Sequence, residues 1–486
     1  MAFGVEKNRI NKLFNHFIDF EYANPNIKRI GAVSANGFVT QIEYDTHIQN
    51  PNTRSYKSNA ILKSALTRNA DNLYYEYLVG KLFINEQSKK FPCFLETYGC
   101  FTYKSPNAWD IVKNITKQSS KLIHLGELLT FMKRDFNLND LNYACKKSQF
   151  IAILVENIKD AKTLRSYLKD QSFILQDLLG VLLQIYIPLS HLSTSFTHYD
   201  LHDENILIYK PFGESSNKYI TYHYHLSDTK IITFKSKYLV KIIDYGRSFF
   251  DDNNGISSKD INSNLCRLPE CNNILILKDE DDEEIEIENT CGESVGFSWL
   301  YDEPGNYDNH YITSIRRNIS HDLRLLIMIN KRIKINDTDD KYENKFTETF
   351  LKILKMTVYQ KETGTPERME KIQDKILNVN DAFHIFDRMI NTNIAKNINN
   401  KYYNNVSENG GNLHIYTDKP MQFIEPVIIR ETKELDNTMK HTLKRKKSPK
   451  QKMSPKTLKR KISSFKREIL SSKRKRTPNI NTQNTF

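Results

Sequence analysis

His198-Tyr199-Asp200-Leu201-His202-Asp203-Glu204-Asn205-Ile206-Leu207 is the stretch on which the reading of this chain turns, and Lys241-Ile242-Ile243-Asp244-Tyr245-Gly246 is its companion. An Asp followed five residues later by an Asn leads into an apolar strand, and a second strand ends in Asp-aromatic-Gly. One pair of strands would therefore gather three oxygen-bearing side chains, Asp200, Asn205 and Asp244. Oxygen donors in that number suit Mg²⁺ held against phosphate.

In this order the two segments resemble the protein-kinase signature, in which a catalytic-loop Asp and Asn precede a metal-binding Asp-Phe-Gly. The wording His-x-Asp-Leu-His-x-x-Asn-Ile-Leu is similar to divergent kinases of large DNA viruses and to small-molecule phosphotransferases of the same superfold. The resemblance implies an α+β, two-lobed protein-kinase-like fold over residues 28–395. A small β-rich N-lobe would take about 28–156 and a mostly helical C-lobe about 157–395, followed by an extension, 396–440, and a disordered basic tail, 441–486. It also implies ATP and Mg²⁺ as cofactors, Asp200 as the catalytic base or hydroxyl-orienting carboxylate, and Asn205 and Asp244 as metal ligands. In phosphoryl transfer the protein supplies mainly position and charge, so a cation on the phosphates completes the set.

That cation is sought upstream. Ser58-Asn59-Ala60-Ile61-Leu62-Lys63-Ser64 is an apolar strand broken by one Lys, which makes Lys63 the candidate phosphate-binding lysine, with Lys57 as its fallback. Asn72 to Gly80 has helical spacing, and its Glu76 would orient Lys63. Ile30 to Val39 sits where a glycine-rich hairpin would cover the nucleotide, with Gly31, Ser34, Gly37 and Val39 as contacts. The match is partial, because two of the family's glycine positions fall on Ala32 and Ser34. Gln149 to Asn157 reads as a buried strand running into polar residues, so Glu156 would stand where backbone meets the adenine. Asp322, in Ser320-His321-Asp322-Leu323, matches the Asp that ties down the catalytic-loop backbone, with Ser320 as a helix cap.

Around these motifs the chain divides by composition. Of 71 Lys/Arg and 58 Asp/Glu, residues 441–486 hold 16 basic residues and one acid, leaving 55 against 57 in the body. The net charge of +13 thus belongs to the tail, which cannot bury enough apolar surface to fold alone. Such a tail should bind nucleic acid or another polyanion, and Lys473 to Arg476 reads as a nuclear-import patch. Residues 102–148 read as an insertion, 210–240 as two further strands, and the acidic run Asp279 to Glu288 as a solvated loop. Residues 1–28 carry a packing helix with Leu13, Phe14, Phe17 and Phe20 on one face. No apolar run reaches the length of a membrane span, and six scattered cysteines are expected to be reduced thiols. The expected location is intracellular, cytoplasmic or nuclear, and the viral resemblance adds the virion.

The resemblance implies a protein Ser/Thr acceptor first. His202 stands where Ser/Thr kinases carry a lysine, so a small-molecule acceptor remains the alternative within the same chemistry. A non-catalytic, pseudokinase-like scaffold is the alternative from another class. Tyr199, where phosphorylation-switched kinases carry Arg, implies activity without activation-segment phosphorylation, and Ser248, Ser257 and Ser258 are the segment's candidate phosphosites.

Overall fold

The computed structural model describes residues 4–34, 37–49, 55–65, 71–115, 121–132, 150–252, 256–264, 273–278, 284–289, 316–334, 340–358, 375–404 and 407–426. The chain is mixed α+β, rich in β-sheet towards the N-terminus and in helices later, with residues Met1–Pro426 in one compact unit. The basic tail with its import patch, residues 133–149 of the expected insertion, and the first half of the acidic run lie outside the described residues.

In chain order the first strands are β1 (Asn26–Ser34), β2 (Gly37–Asp45), β3 (Lys57–Ala65), β4 (Thr97–Tyr103), β5 (Lys121–Leu122), β6 (Leu129–Phe131) and β7 (Ile151–Glu156). They form one sheet in the order β5-β1-β2-β3-β7-β4-β6, antiparallel at every pairing. Strand β2 shows why this segment is a strand: Phe38, Thr40, Ile42 and Tyr44 are buried while their neighbours are half-buried, the period of two that a sheet requires. Helix α1 (Gly4–Leu13) stops before the aromatic residues expected on it. Asn15, His16 and Phe17 take left-handed backbone angles, and this irregular turn delivers Phe14, Phe17 and Phe20 to the core beneath the sheet. There Phe17 stacks on Tyr98 with ring centroids 4.1 Å apart.

Much of the expected insertion belongs to this sheet. Strand β4 runs to Tyr103, β5 extends β1, and β6 pairs Phe101 with Phe131 and Tyr103 with Leu129. The helices of this half include α2 (Asp71–Val79), which carries Glu76, and α3 (Pro106–Lys113). Ser105 caps α3 by accepting from Ala108 N–H at 3.1 Å, with proline at the first helical turn.

The remaining strands are β8 (Lys162–Thr163), β9 (Phe196–Thr197), β10 (Ile206–Tyr209), β11 (Lys218–His225), β12 (Ile231–Ser236), β13 (Leu239–Ile242), β14 (Phe249–Phe250), β15 (Asn273–Lys278), β16 (Glu284–Asn289), β17 (Glu408–Tyr416) and β18 (Gln422–Ile424). Among the helices that follow are α4 (Leu178–His191), α5 (Arg324–Arg332), α6 (Lys341–Lys355), α7 (Val379–Ile390) and α8 (Asn393–Asn399). Helix α4 is apolar all round and buried from Leu178 to Leu189, as a central helix must be. Its one interruption, Gln184, donates to Tyr238 O and accepts from Val240 N–H, both at 3.1 Å, which fixes the start of β13. Helix α7 packs against α4, and Asn378 caps it.

Strands β11 and β12 are the pair expected within 210–240. What the sequence order does not suggest is their partner: β17 lies parallel to β11 and β18 completes a four-stranded sheet. Residues 396–426 therefore pack with the body. The second half of the acidic run, expected as a loop, is strand β16, paired with β15 in the register Leu277 to Ile285 and Leu275 to Ile287. Alternating Ile and Glu is a strand pattern in spite of the charge. Among the described residues no helix is long and apolar enough to cross a membrane.

Leu413, fully buried on β17, tests whether this late sheet supports the body. Leu413→Ala should lower stability by about 2–5 kcal/mol in urea unfolding, whereas Ile424→Ala at the half-exposed edge should have little effect.

Candidate active site

Lys63 faces away from the core of β3, because its neighbours Leu62 and Ser64 are buried on the other side. Its ammonium donates to both carboxylate oxygens of Glu76 on α2, at 2.7 and 2.6 Å, and to Asp244 Oδ1 at 3.3 Å. Burial opposes the lysine charge, but Asp244 and Glu76 more than offset this and hold its pKa above the ordinary value. Burial pushes Glu76 up to about 7 against the pull of Lys63. Lys63, foremost, holds Asp244 below the usual carboxylate range. The fallback Lys57 pairs with Glu43 at 2.8 Å and Asp45 at 3.6 Å on the exposed edge, away from this cluster.

The three groups bound a cleft of about 640 Å³. Its apolar wall includes Ile30, Val39, Ile61, Leu207 and Ile243, and the segment Val155–Ala161 closes the opposite side. A volume of this size with a few convergent charges is the ordinary form of a small-ligand site.

Asp200 and Asn205 do not line this cleft; backbone pairing brings Asn205 beside the residue preceding Asp244, and the Asn205 amide ties in Asp200. Strands β10 and β13 are antiparallel with Ile206 opposite Ile242, and Ile243 N–H extends the ladder to Asn205 O at 3.0 Å. Before β10 the loop turns sharply, with Tyr199 at φ +63° and Asp244 across from it at φ +70°. Left-handed angles in such residues cost about 1–3 kcal/mol each and persist only where neighbours over-determine them. Asp322 is one such neighbour: its carboxylate accepts from His198 N–H at 2.8 Å and Tyr199 N–H at 3.1 Å. Burial pushes this carboxyl up to about 7 against those two donors. Ser320, expected to cap the following helix, makes no side-chain cap bond.

His198 is the second clamp. Its Nε2 meets Ile243 O at 3.0 Å and its Nδ1 meets Asp200 N–H at 3.2 Å, which fits a neutral ring protonated on Nε2. Burial lowers its pKa to about 4 and keeps it so. Tyr199 is buried and donates its hydroxyl to Arg316 O at 2.5 Å, satisfying itself without an added phosphate. Ser248 and Ser258, considered as phosphosites, are buried and bonded, Ser248 to His198 O and Ser258 to Phe250 N–H and the Tyr75 hydroxyl. Replacing them would disturb packing, so they are poor probes of loop phosphorylation.

Asp200 accepts from Arg324 Nη1 at 2.9 Å, with Arg247 and His202 at 3.9 and 3.8 Å. Helix α5 thus holds the loop at both ends, since Arg332 also lies 2.7 Å from Asp203. Neither arginine was apparent from the sequence, although Arg324 stands two residues after Asp322 and Arg247 three after Asp244. Asn205 donates its amide to Asp200 O at 2.9 Å, leaving its Oδ1, a hard donor, for a cation.

Among the described residues no group of three or more His, Cys, Asp or Glu converges on a metal position. Asp244 and Asn205 provide two oxygen donors, which fits an ion such as Mg²⁺ that arrives with substrate phosphates and keeps waters. They do not make a resident protein cage.

The backbone of β1 carries Gly31 and Ser34, and Ser34 pairs with Gly37 across the hairpin. A Cβ at Gly37 would lie 2.3 Å from Ser64 O, so close passage of β3 requires the glycine there. Glu156 lines the cleft, but its carboxylate serves another cluster. It accepts from Lys7 at 2.9 Å and from Glu96 N–H at 3.2 Å, with buried Lys241 at 3.6 Å. Asn11 on α1 donates to both oxygens of Glu96, the residue before β4, and Lys7 ties the same helix to Glu156 in the cleft wall. No protein-family model matches the chain, nor does any curated protein sequence.

Burial alone would raise the pKa of Glu156; Lys241 and Lys7 overcome it and bring the carboxyl down to about 2, from 4.5. A depressed carboxyl stabilises the fold above its unfolded value and loses that contribution as pH falls through the folded one. Glu156→Gln should therefore cost about 3–5 kcal/mol at neutral pH, by stranding buried cations. It should also flatten the decline of stability between pH 4.5 and 2 that denaturant melts of the parent record.

Proposed function

We propose that this chain is an ATP- and Mg²⁺-dependent phosphotransferase of two-lobed, protein-kinase-like architecture, acting on Ser/Thr hydroxyls of proteins. The observation that carries the reading is the cleft bounded by Lys63, Glu76 and Asp244, with Asp200 and Asn205 brought alongside by the β10–β13 ladder. The antiparallel sheet forms the small lobe and the helices around α4 the large one. Lys63, oriented by Glu76, binds phosphate oxygens. Bound through Asp244 and Asn205, Mg²⁺ would offset charge on those phosphates. The apolar wall from Ile30 to Ile243 takes the base, and Val155–Ala161 offers backbone groups to its edge. Asp200, fixed by Arg324, orients the acceptor hydroxyl and receives its proton.

The order of motifs supports this reading over a binding scaffold, because a scaffold has no physical need for Lys63, Asp200, Asn205 and Asp244 together. Nothing in the site selects a small acceptor over a protein one. The basic tail is proposed as a polyanion contact, and an intracellular location, cytoplasmic, nuclear or in a virion, goes with the kinase reading.

The test is purified full chain with γ-labelled ATP, Mg²⁺ and mixed acceptors. Lys63→Met, Asp200→Asn and Asp244→Asn should each reduce label transfer by at least about 10²-fold, several kcal/mol of barrier, in variants that circular dichroism shows to be folded at the assay temperature. Label on a small molecule would move the acceptor class. Absence of transfer from the parent, with every acceptor offered, would remove the enzyme reading.

A further inference from the structure

The carboxylate of Asp200 is approached by three nitrogen groups that differ in kind. Arg324 is hydrogen-bonded to it at 2.9 Å, and its side chain is only 8 % exposed. His202 Nε2 stands 3.8 Å away, and burial lowers its pKa, so at neutral pH the ring carries no dependable charge. Arg247 Nε lies 3.9 Å from the other oxygen, too long for a hydrogen bond. Arg247 and Asp244 also attract one another. It stands three residues after Asp244, on the turn that leaves Tyr245 and Gly246.

A phosphoryl group moving from the Lys63 and Asp244 end of the cleft to a hydroxyl at Asp200 must pass the place where these two carboxylates share a cation. We propose that Arg247 is the cation that stabilises the phosphoryl group in transfer, and that Arg324 is a positioning residue that holds Asp200. The inference rests on the phosphotransferase reading above. In the step, the bond from the γ-phosphorus to the β–γ bridging oxygen breaks and ADP leaves. The bond from phosphorus to the acceptor oxygen forms, and the acceptor proton passes to Asp200. Charge spreads over the three equatorial oxygens during transfer. A guanidinium suits them: it stays protonated at any working pH and presents a planar fork of donors. Its half-buried setting strengthens that attraction over water. Arg324, already bonded to Asp200 and anchored at the start of α5, keeps the carboxylate pointed at the acceptor.

The experiment measures steady-state transfer and fluorescent ADP binding on the full chain, parent beside Arg247→Gln, Arg247→Lys and Arg247→Gln with His202→Lys. Arg247→Gln should lower kcat by about 10²- to 10³-fold, with KM for ATP and ADP affinity within about threefold of the parent. Arg247→Lys should recover at least about tenfold of that loss, and His202→Lys should recover part of it by returning a charge near the same carboxylate. A purely structural role would not give rescue by a charge at a different position. If Arg247→Gln is unstable, Arg247→Met, which keeps the apolar stem without the charge, takes its place and is read by the same outcomes. Unchanged kcat in Arg247→Gln, or a loss confined to KM, would overturn the proposal while the parent's transfer leaves the phosphotransferase reading standing. A parent that binds no ADP and transfers no label would overturn both.

Discussion

One lysine shared by two carboxylates, Glu76 buried and Asp244 half-exposed, sets the terms for the whole site. Lys63, Glu76 and Asp244 carry an excess of negative charge whenever Glu76, pushed up to about 7, is ionised; they come from β3, from α2 and from just past the end of β13, and meet at 2.6 to 3.3 Å. Their attraction joins a strand of the large sheet to a residue 181 positions later in the chain. A negative excess in a half-enclosed cleft is relieved by a cation, and a lysine already in place is ready to meet phosphate. The cluster therefore shapes the cleft and also sets what it can hold.

Around it the backbone is strained where the chemistry would occur. Tyr199 and Asp244 both take left-handed angles, and the residues around them are held by buried side chains. Asp322 gives both carboxylate oxygens to the turn at His198 and Tyr199, while the neutral His198 ring bridges to Ile243 and Asp200. A charged imidazole would lose its acceptor at Nδ1, which explains why burial of that ring is useful. Helix α5 adds the outer hold through Arg324 and Arg332.

The sequence made much of this legible because local chemistry marks it. A single Lys in an apolar strand, one Glu on a helix of apolar spacing, and Asp-Leu-x-x-x-Asn before a strand are each readable without the fold. Lys7, Glu96, Glu156 and Lys241 were not readable, since their pairings span 60 to 149 positions and each residue alone looks solvated. The same holds for β17, whose parallel partner β11 lies far upstream. Glu156 shows the limit most clearly: its place at the cleft followed from the strand, but the direction of its carboxylate depended on an N-terminal helix whose end was misjudged. Arg247 and Arg324 lie beside motif residues, yet nothing local says that both turn to Asp200.

The most direct test of the central claim, that the Lys63 cluster receives nucleotide phosphate, is a calorimetric titration of the full chain with ATP, with and without Mg²⁺. The parent should bind ATP more tightly with Mg²⁺ present, Asp244→Asn should lose that dependence, and Lys63→Met should bind adenosine as the parent does while losing affinity for ATP. Equal binding of ATP and adenosine by the parent, unaffected by Mg²⁺ and by both substitutions, would contradict it.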